Sequence, residues 1–172
     1  VLLPLYRETR KRNLPLRRVI ESLEMEWNGE KVPFSVWESR EGALGFLMIE
    51  KEEYFDRDFL YGTPQGDYPD NGERFAFFAK AALESLRHLN FRPDVIHAHD
   101  WQSAIALALL KFTYAQAPFF AFTRSLCTIH NLAYQGLFEK DILSRIGLPG
   151  SLFNMEDLEF YGKVNYLKGG IL

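Results

Sequence analysis

The chain has one cysteine, Cys127, among 172 residues. No internal disulfide can form, and the thiol, set in an apolar stretch, reads as a small buried hydrophobe. Cationic excess is also missing. The formal net charge is −3, and the longest basic cluster, Arg7 to Arg12 followed by Arg17-Arg18, is too short to outweigh it, which argues against a nucleic-acid partner. Nor does any run approach the ~20 apolar residues that a membrane span needs. Val1 to Leu5 is too short for the apolar region of a signal peptide, so a cytoplasmic protein with no membrane partner is expected. Internal repeats and low-complexity tracts are absent too.

What is present suffices for one core. At 47% hydrophobic and 25% charged, a single globular domain is the expected count, and one of this length buries roughly 70% of its unfolded surface. From Ile20 to Glu50 the pattern has a period of two: Leu23, Met25 and Trp27 alternate with Glu24 and Glu26, then come Asn28-Gly29 and Val32, Phe34 and Val36. That spacing predicts a β-hairpin closed by a type I′ turn, with a third strand from Ala43 to Ile49 beside it. Gly62 to Asp67 reads as a loop. After Asp70 the period becomes helical, with Phe75, Phe78, Ala79, Ala82 and Leu86 on one stripe and Arg74, Lys80, Glu84 and Arg87 elsewhere. Asp70 or Asn71 is the candidate N-cap. Strand Val95–His97, helix Gln102–Phe112 and strand Phe122–Ile129 then alternate as in a parallel sheet with crossover helices, so this half is expected to be Rossmann-like.

Two segments carry the chemistry: Asp94-Val95-Ile96-His97-Ala98-His99-Asp100-Trp101-Gln102, and Thr128-Ile129-His130-Asn131-Leu132-Ala133-Tyr134-Gln135-Gly136-Leu137-Phe138. Each begins apolar and ends in residues that a strand interior does not tolerate, so each predicts a buried strand emptying into a functional loop. Ligands bind at such strand ends in open α/β sheets. A polar pocket is expected there. Two histidines one residue apart and followed by a carboxylate, His97, His99 and Asp100, also suit a zinc hydrolase, although no further Asp-His pair completes such a site. The two rings share a face only if the strand runs through both. His97 is equally readable as a core histidine bonded to a backbone carbonyl, and Trp101 as core packing.

Both segments resemble the N-terminal domain of bacterial glycogen synthases and plant starch synthases. The likeness extends to Gly66-Asp67-Tyr68-Pro69-Asp70-Asn71-Gly72-Glu73-Arg74-Phe75-Ala76-Phe77-Phe78, to Asn154-Met155-Glu156-Asp157-Leu158-Glu159-Phe160-Tyr161-Gly162, and to Lys163-Val164-Asn165-Tyr166-Leu167-Lys168-Gly169-Gly170-Ile171. Five blocks stand in the family's order over roughly residues 60 to 172; Val1 to Tyr6 and Glu52 to Arg57 match more loosely.

The resemblance implies a two-domain GT-B fold of which residues 1–172 are part of the N-terminal, acceptor-side domain, lacking the family's first strand, its Lys-Thr-Gly-Gly-Leu loop and the C-terminal nucleotide-sugar domain. It implies a retaining glucosyl transfer from ADP-glucose, with UDP-glucose second, to the non-reducing end of an α-1,4-glucan. No metal and no other cofactor is called for. Asp100 and His130 are then the catalytic candidates, Asp100 as a carboxylate near the developing oxocarbenium charge and His130 as a group that positions the sugar. Tyr68 and Asp70, with Asn71 beside them, border the glucan, and Asn131, Tyr134 and Gln135 line the cleft. Turn and cap chemistry accounts for Asp70, Asn71 and Asn131 equally well. The alternatives are a sucrose synthase-like transferase and a glucan-binding module without catalysis. A missing central strand also predicts self-association through unpaired sheet edges.

Overall fold

The computed structural model describes residues 1–172. Strand β1 (Leu2–Pro4) and helix α1 (Arg7–Lys11) lead into a long hairpin of β2 (Arg17–Trp27) and β3 (Glu30–Glu41). Its tip is Asn28 (φ 51°) and Gly29 (φ 80°), both left-handed as a type I′ turn demands. β4 (Leu44–Glu50) follows antiparallel to β3, and β1 adds parallel to β4, giving the order β1-β4-β3-β2. The alternating residues Met25, Trp27, Phe34 and Val36 are buried. Trp27 and Phe34 meet Phe77 edge-on, at 5.3 and 6.1 Å.

Helix α2 (Glu52–Phe55) precedes a feature that the sequence did not reveal. Where a loop was expected, β5 (Gly62–Thr63) and β6 (Gly66–Asp67) pair as a minimal hairpin. Gly62 is required there, because a Cβ would lie 2.4 Å from the Gly66 carbonyl oxygen.

Helix α3 (Asn71–His88) is the spine of the core. Phe75, Phe78, Ala79, Ala82 and Leu86 are buried as their spacing predicts, and so is Phe77. Arg74 departs from expectation: it is 0% exposed, because the chain around Tyr54 and Leu60 covers that side of the helix and binds its guanidinium. Asp70 occupies the cap position without a capping bond. Its carboxylate pairs with Arg57 instead, at 2.8 and 2.6 Å.

The second half is a βαβ unit. β7 (Val95–His99) and β8 (Arg124–Thr128) run parallel, from Val95 opposite Arg124 to His99 opposite Thr128, joined through α4 (Asp100–Phe112). β8 is shorter than predicted at both ends, and Phe122, expected inside the strand, is 90% exposed. β9 (Leu137–Phe138), α5 (Ile142–Arg145), β10 (Glu159–Phe160), β11 (Lys163–Asn165) and α6 (Tyr166–Ile171) complete the chain, the three strands pairing in the order β10-β11-β9. α6 lies so close to α4 that a Cβ at Gly170 would meet Ala104 at 2.6 Å. No helix is long and apolar enough to cross a membrane.

The sheet is interrupted between its first strand and Val95–His99, where the missing central strand was expected to leave unpaired edges. β1 pairs only with β4 and β7 only with β8. Between them lies a cavity of ≈ 510 Å³ lined by Leu2 to Pro4, by Val95 to His99, and by Phe78, Ala82, Leu83 and Leu86 of α3. The two sheets are joined through the side-chain core built on α3, with no ladder of hydrogen bonds between them.

Candidate active site

Parallel neighbours end on the same side, so the β7–β8 register brings both polar segments together. The strand does run through His99, which puts His97 and His99 on one face, their ring centroids 4.1 Å apart. His97 is exposed rather than in the core, and its Nε2 lies 2.7 Å from the Thr128 hydroxyl rather than a carbonyl. His99 Nδ1 is 3.0 Å from His130 Nε2, the two rings stacked. Desolvation, then the charge that His97 and next His130 would carry, hold His99 below the ordinary histidine range, with Asp100 opposing.

Asp100 makes the turn from β7 into α4 with φ 55°, a conformation that aspartate tolerates better than most side chains. That backbone choice swings its carboxylate across to the next strand. Oδ1 accepts the His130 N–H at 2.7 Å and the Asn131 N–H at 3.1 Å, so one oxygen straps the two strand exits together. Ser103 steadies the same corner, its hydroxyl accepting from the His99 amide at 2.6 Å.

The loop after His130 is fixed from below by an indole. Gly136 (φ 67°) would put a Cβ 2.5 Å from Trp101, so only glycine lets the loop lie on that ring. Trp101 is itself buried against Phe75 and Phe138, at 5.1 and 5.6 Å, which agrees with its reading as core. Asn131 Oδ1 accepts from the Ala133 amide at 3.0 Å, closing an Asx-type turn.

A polar cavity of ≈ 330 Å³ opens where these parts meet. Asp100, Gln102, Asn131 and Tyr134 line it from the strand exits, and Tyr61, Asp67 and Asn71 from α3 and the small hairpin, over Trp101. Tyr61 and Tyr134 are 44% and 65% exposed. Of the residues expected from sequence, Asp100, Asn131 and Tyr134 are thus gathered, and Asn71 with them. His130 is tied to Asp100 through its backbone. Tyr68, Asp70 and Gln135 are held elsewhere. Two guanidinium groups, of Arg57 and Arg74, lie 4.7 and 4.9 Å from the Tyr68 ring centre, Asp70 is paired with Arg57, and Gln135 accepts from Asn165 at 2.7 Å and donates to the Leu132 carbonyl at 3.2 Å. Sequence reasoning missed Tyr61, Asp67 and Gln102, the last read only as the start of a helix. Asp67 lay inside a block that resembled the family, whereas nothing near Tyr61 marked it.

The zinc alternative does not survive this geometry. His97 is engaged with Thr128, Asp100 faces amides, and no three His, Cys, Asp or Glu side chains are grouped to hold an ion.

A family model described as the starch synthase catalytic domain matches residues 1–172. The chain belongs to that family. It is 46% identical over 172 residues to glycogen synthase 2 of Geobacter sulfurreducens and 42% identical over 173 residues to the glycogen synthase of Koribacter versatilis, covering 100% of this chain and 36% and 35% of those proteins. This starch synthase-family chain therefore spans about a third of the length of the curated relatives it matches. It also resembles the catalytic domain of starch synthase IV from Arabidopsis thaliana bound to ADP and acarbose, with a TM-score of 0.82 and 29% identity over 99% of this chain and 35% of that one. The family is one of glycosyltransferases, and the mixed parallel and antiparallel fold matches that of a starch synthase catalytic domain.

Proposed function

We propose that this chain is the acceptor-side part of a two-domain glycogen or starch synthase that moves glucose from ADP-glucose to the non-reducing end of an α-1,4-glucan with retention. The observation that carries the reading is the polar cavity, in which three separate family-like blocks converge within a chain matched from end to end by the starch synthase model. Saccharides are recognised by aromatic faces set among carboxylate and amide groups. Tyr61 and Tyr134 supply the faces, and Asp67, Asn71, Gln102 and Asn131 the hydrogen-bonding groups. The Arabidopsis relative with bound ADP and acarbose agrees with a site for a nucleotide and a saccharide.

In the transfer, the bond from the sugar's anomeric carbon to the diphosphate oxygen breaks and a bond from that carbon to the acceptor oxygen forms, through a state with oxocarbenium character, the acceptor's O–H proton passing to the departing nucleoside diphosphate. Asp100, fixed through one oxygen, keeps a second that accepts no hydrogen bond from the protein. Its negative charge stabilises the cationic sugar without reorganisation at the moment of reaction. His130 orients the sugar, which lowers the entropy still to be lost. The nucleotide is gripped chiefly by residues beyond this third of the family's length.

Calorimetric titration of the purified chain with maltoheptaose tests the reading. Saturable binding with a dissociation constant on the order of 1 mM is expected, lost in Tyr134→Ala, with no glucose transfer from ADP-glucose by the chain alone. An absence of binding would defeat the acceptor assignment, and robust transfer would defeat the division of labour.

A further inference from the structure

Arg74 is 0% exposed and has no carboxylate partner. A methionine would fill the same space without the cost of desolvating a charge, so the guanidinium must do something that volume alone does not. Its hydrogen bonds say what. Nε donates to the Tyr54 carbonyl at 2.7 Å, both Nη atoms donate to the Leu60 carbonyl at 3.2 Å, and Nη1 donates to Asn71 Oδ1 at 2.5 Å. Asn71 then passes the constraint on, its Nδ2 donating to the Tyr61 carbonyl at 2.7 Å. Two consecutive carbonyls, Leu60 and Tyr61, are therefore held by one planar fork and the amide it orients. Tyr61 is also the root of the β5–β6 hairpin, since the Tyr68 amide bonds to its carbonyl at 3.0 Å and Gly62 stands opposite Asp67.

We infer that Arg74 is a positioning residue for the acceptor saccharide, fixing Tyr61, Asp67 and Asn71 as one wall of the polar cavity without touching the ligand. The saccharide part of the inference rests on the glucan reading of that cavity. The fork geometry is what matters, because the three acceptors are met by three separate nitrogens of a rigid plane, whereas lysine's donors all leave one nitrogen on a flexible stem and do not span them.

The test compares the chain with Arg74→Lys, Asn71→Asp and a remote control, Leu148→Ala, which empties part of the core. Maltoheptaose affinity is followed by tryptophan fluorescence, since Trp101 lines the cavity, and amide hydrogen exchange is read along residues 61–71. Arg74→Lys should weaken maltoheptaose binding roughly 10-fold and speed exchange at Tyr68 and Asn71 while helix α4 stays protected. Leu148→Ala should lower the melting temperature at least as far and leave affinity unchanged. Asn71→Asp keeps an acceptor for Arg74 and removes the donor to Tyr61, so it should remain folded yet release the same amides; it carries the comparison if Arg74→Lys does not fold. Unchanged affinity and exchange in Arg74→Lys, or equal affinity loss in Leu148→Ala, would overturn the inference. If the unaltered chain binds no maltoheptaose, the glucan reading falls, and exchange alone decides positioning: acceleration confined to 61–71 supports it, and uniform acceleration overturns it.

Discussion

Asp100 combines a left-handed backbone with a doubly accepting carboxylate oxygen, and each feature has its own consequence. Asn keeps the acceptor and tolerates the backbone, so Asp100→Asn should preserve the melt while removing charge. In a synthase carrying this chain, kcat should fall roughly 100-fold or more; wild-type turnover would reassign Asp100 to architecture. Ala tolerates the backbone poorly and leaves two amides unpaired, so Asp100→Ala should cost about 1–3 kcal/mol in a urea titration. His99 gives the site a pH dependence. Held below the ordinary range by desolvation and by His97 and His130, it takes up a proton less readily when folded than when unfolded. Its contribution is intact above about pH 6.5 and declines as pH falls through that value toward the lowered folded one. His99→Gln should therefore flatten the fall in melting temperature between about pH 7.5 and 5.5. An unchanged slope would place the acid sensitivity on other groups.

Among the elements, those with a strict local period were legible and those shaped by distant contacts were not. The β2–β3 hairpin follows from alternation and Asn28-Gly29, and α3 from its apolar stripe. Yet the same helical period put Arg74 on the wrong side, because it counts residues along one helix and not the segment that folds over it. The β5–β6 hairpin escaped notice for a related reason: two-residue strands have no period, and their root, Tyr61, meets its partner Asn71 only in the folded chain. The segment between β8 and β9 is constrained from outside as well. Gly136→Ala would drive a methyl into Trp101 at a positive φ, so a loss of about 1–3 kcal/mol is expected, with Tyr134 displaced from the cavity and maltoheptaose binding weakened. Calorimetric melting and titration together check this; wild-type values in both would show that the loop slides on the indole.

The whole molecule sets a four-stranded sheet and the β7–β8 pair on one helical spine, with the β10-β11-β9 sheet and the β5–β6 pair as smaller additions. β1 and β7 each leave one edge unpaired beside the ≈ 510 Å³ apolar cavity. Free edges of this kind attract another strand. The chain in solution should therefore self-associate, giving a light-scattering mass above 20.0 kDa that rises with concentration, and Val95→Lys, a charge on the β7 edge, should shift it toward the monomer. A strictly monomeric chain with a high melting temperature would show that the side-chain core around α3 suffices.

The sequence by itself determined the hairpin, the α3 stripe, the βαβ alternation and the polar ends of β7 and β8, because period and turn chemistry act between near neighbours. It also carried the family, in the order of its blocks. Only the tertiary structure decided that Tyr61, Asp67 and Asn71 meet Asp100, Asn131 and Tyr134, that Tyr68 and Asp70 are engaged by arginines, and that Arg74 lies in the core. Those outcomes depend on which surfaces fold over one another across tens of residues, and in a close-packed interior a side chain's partners are set by that covering more than by its own stretch of chain.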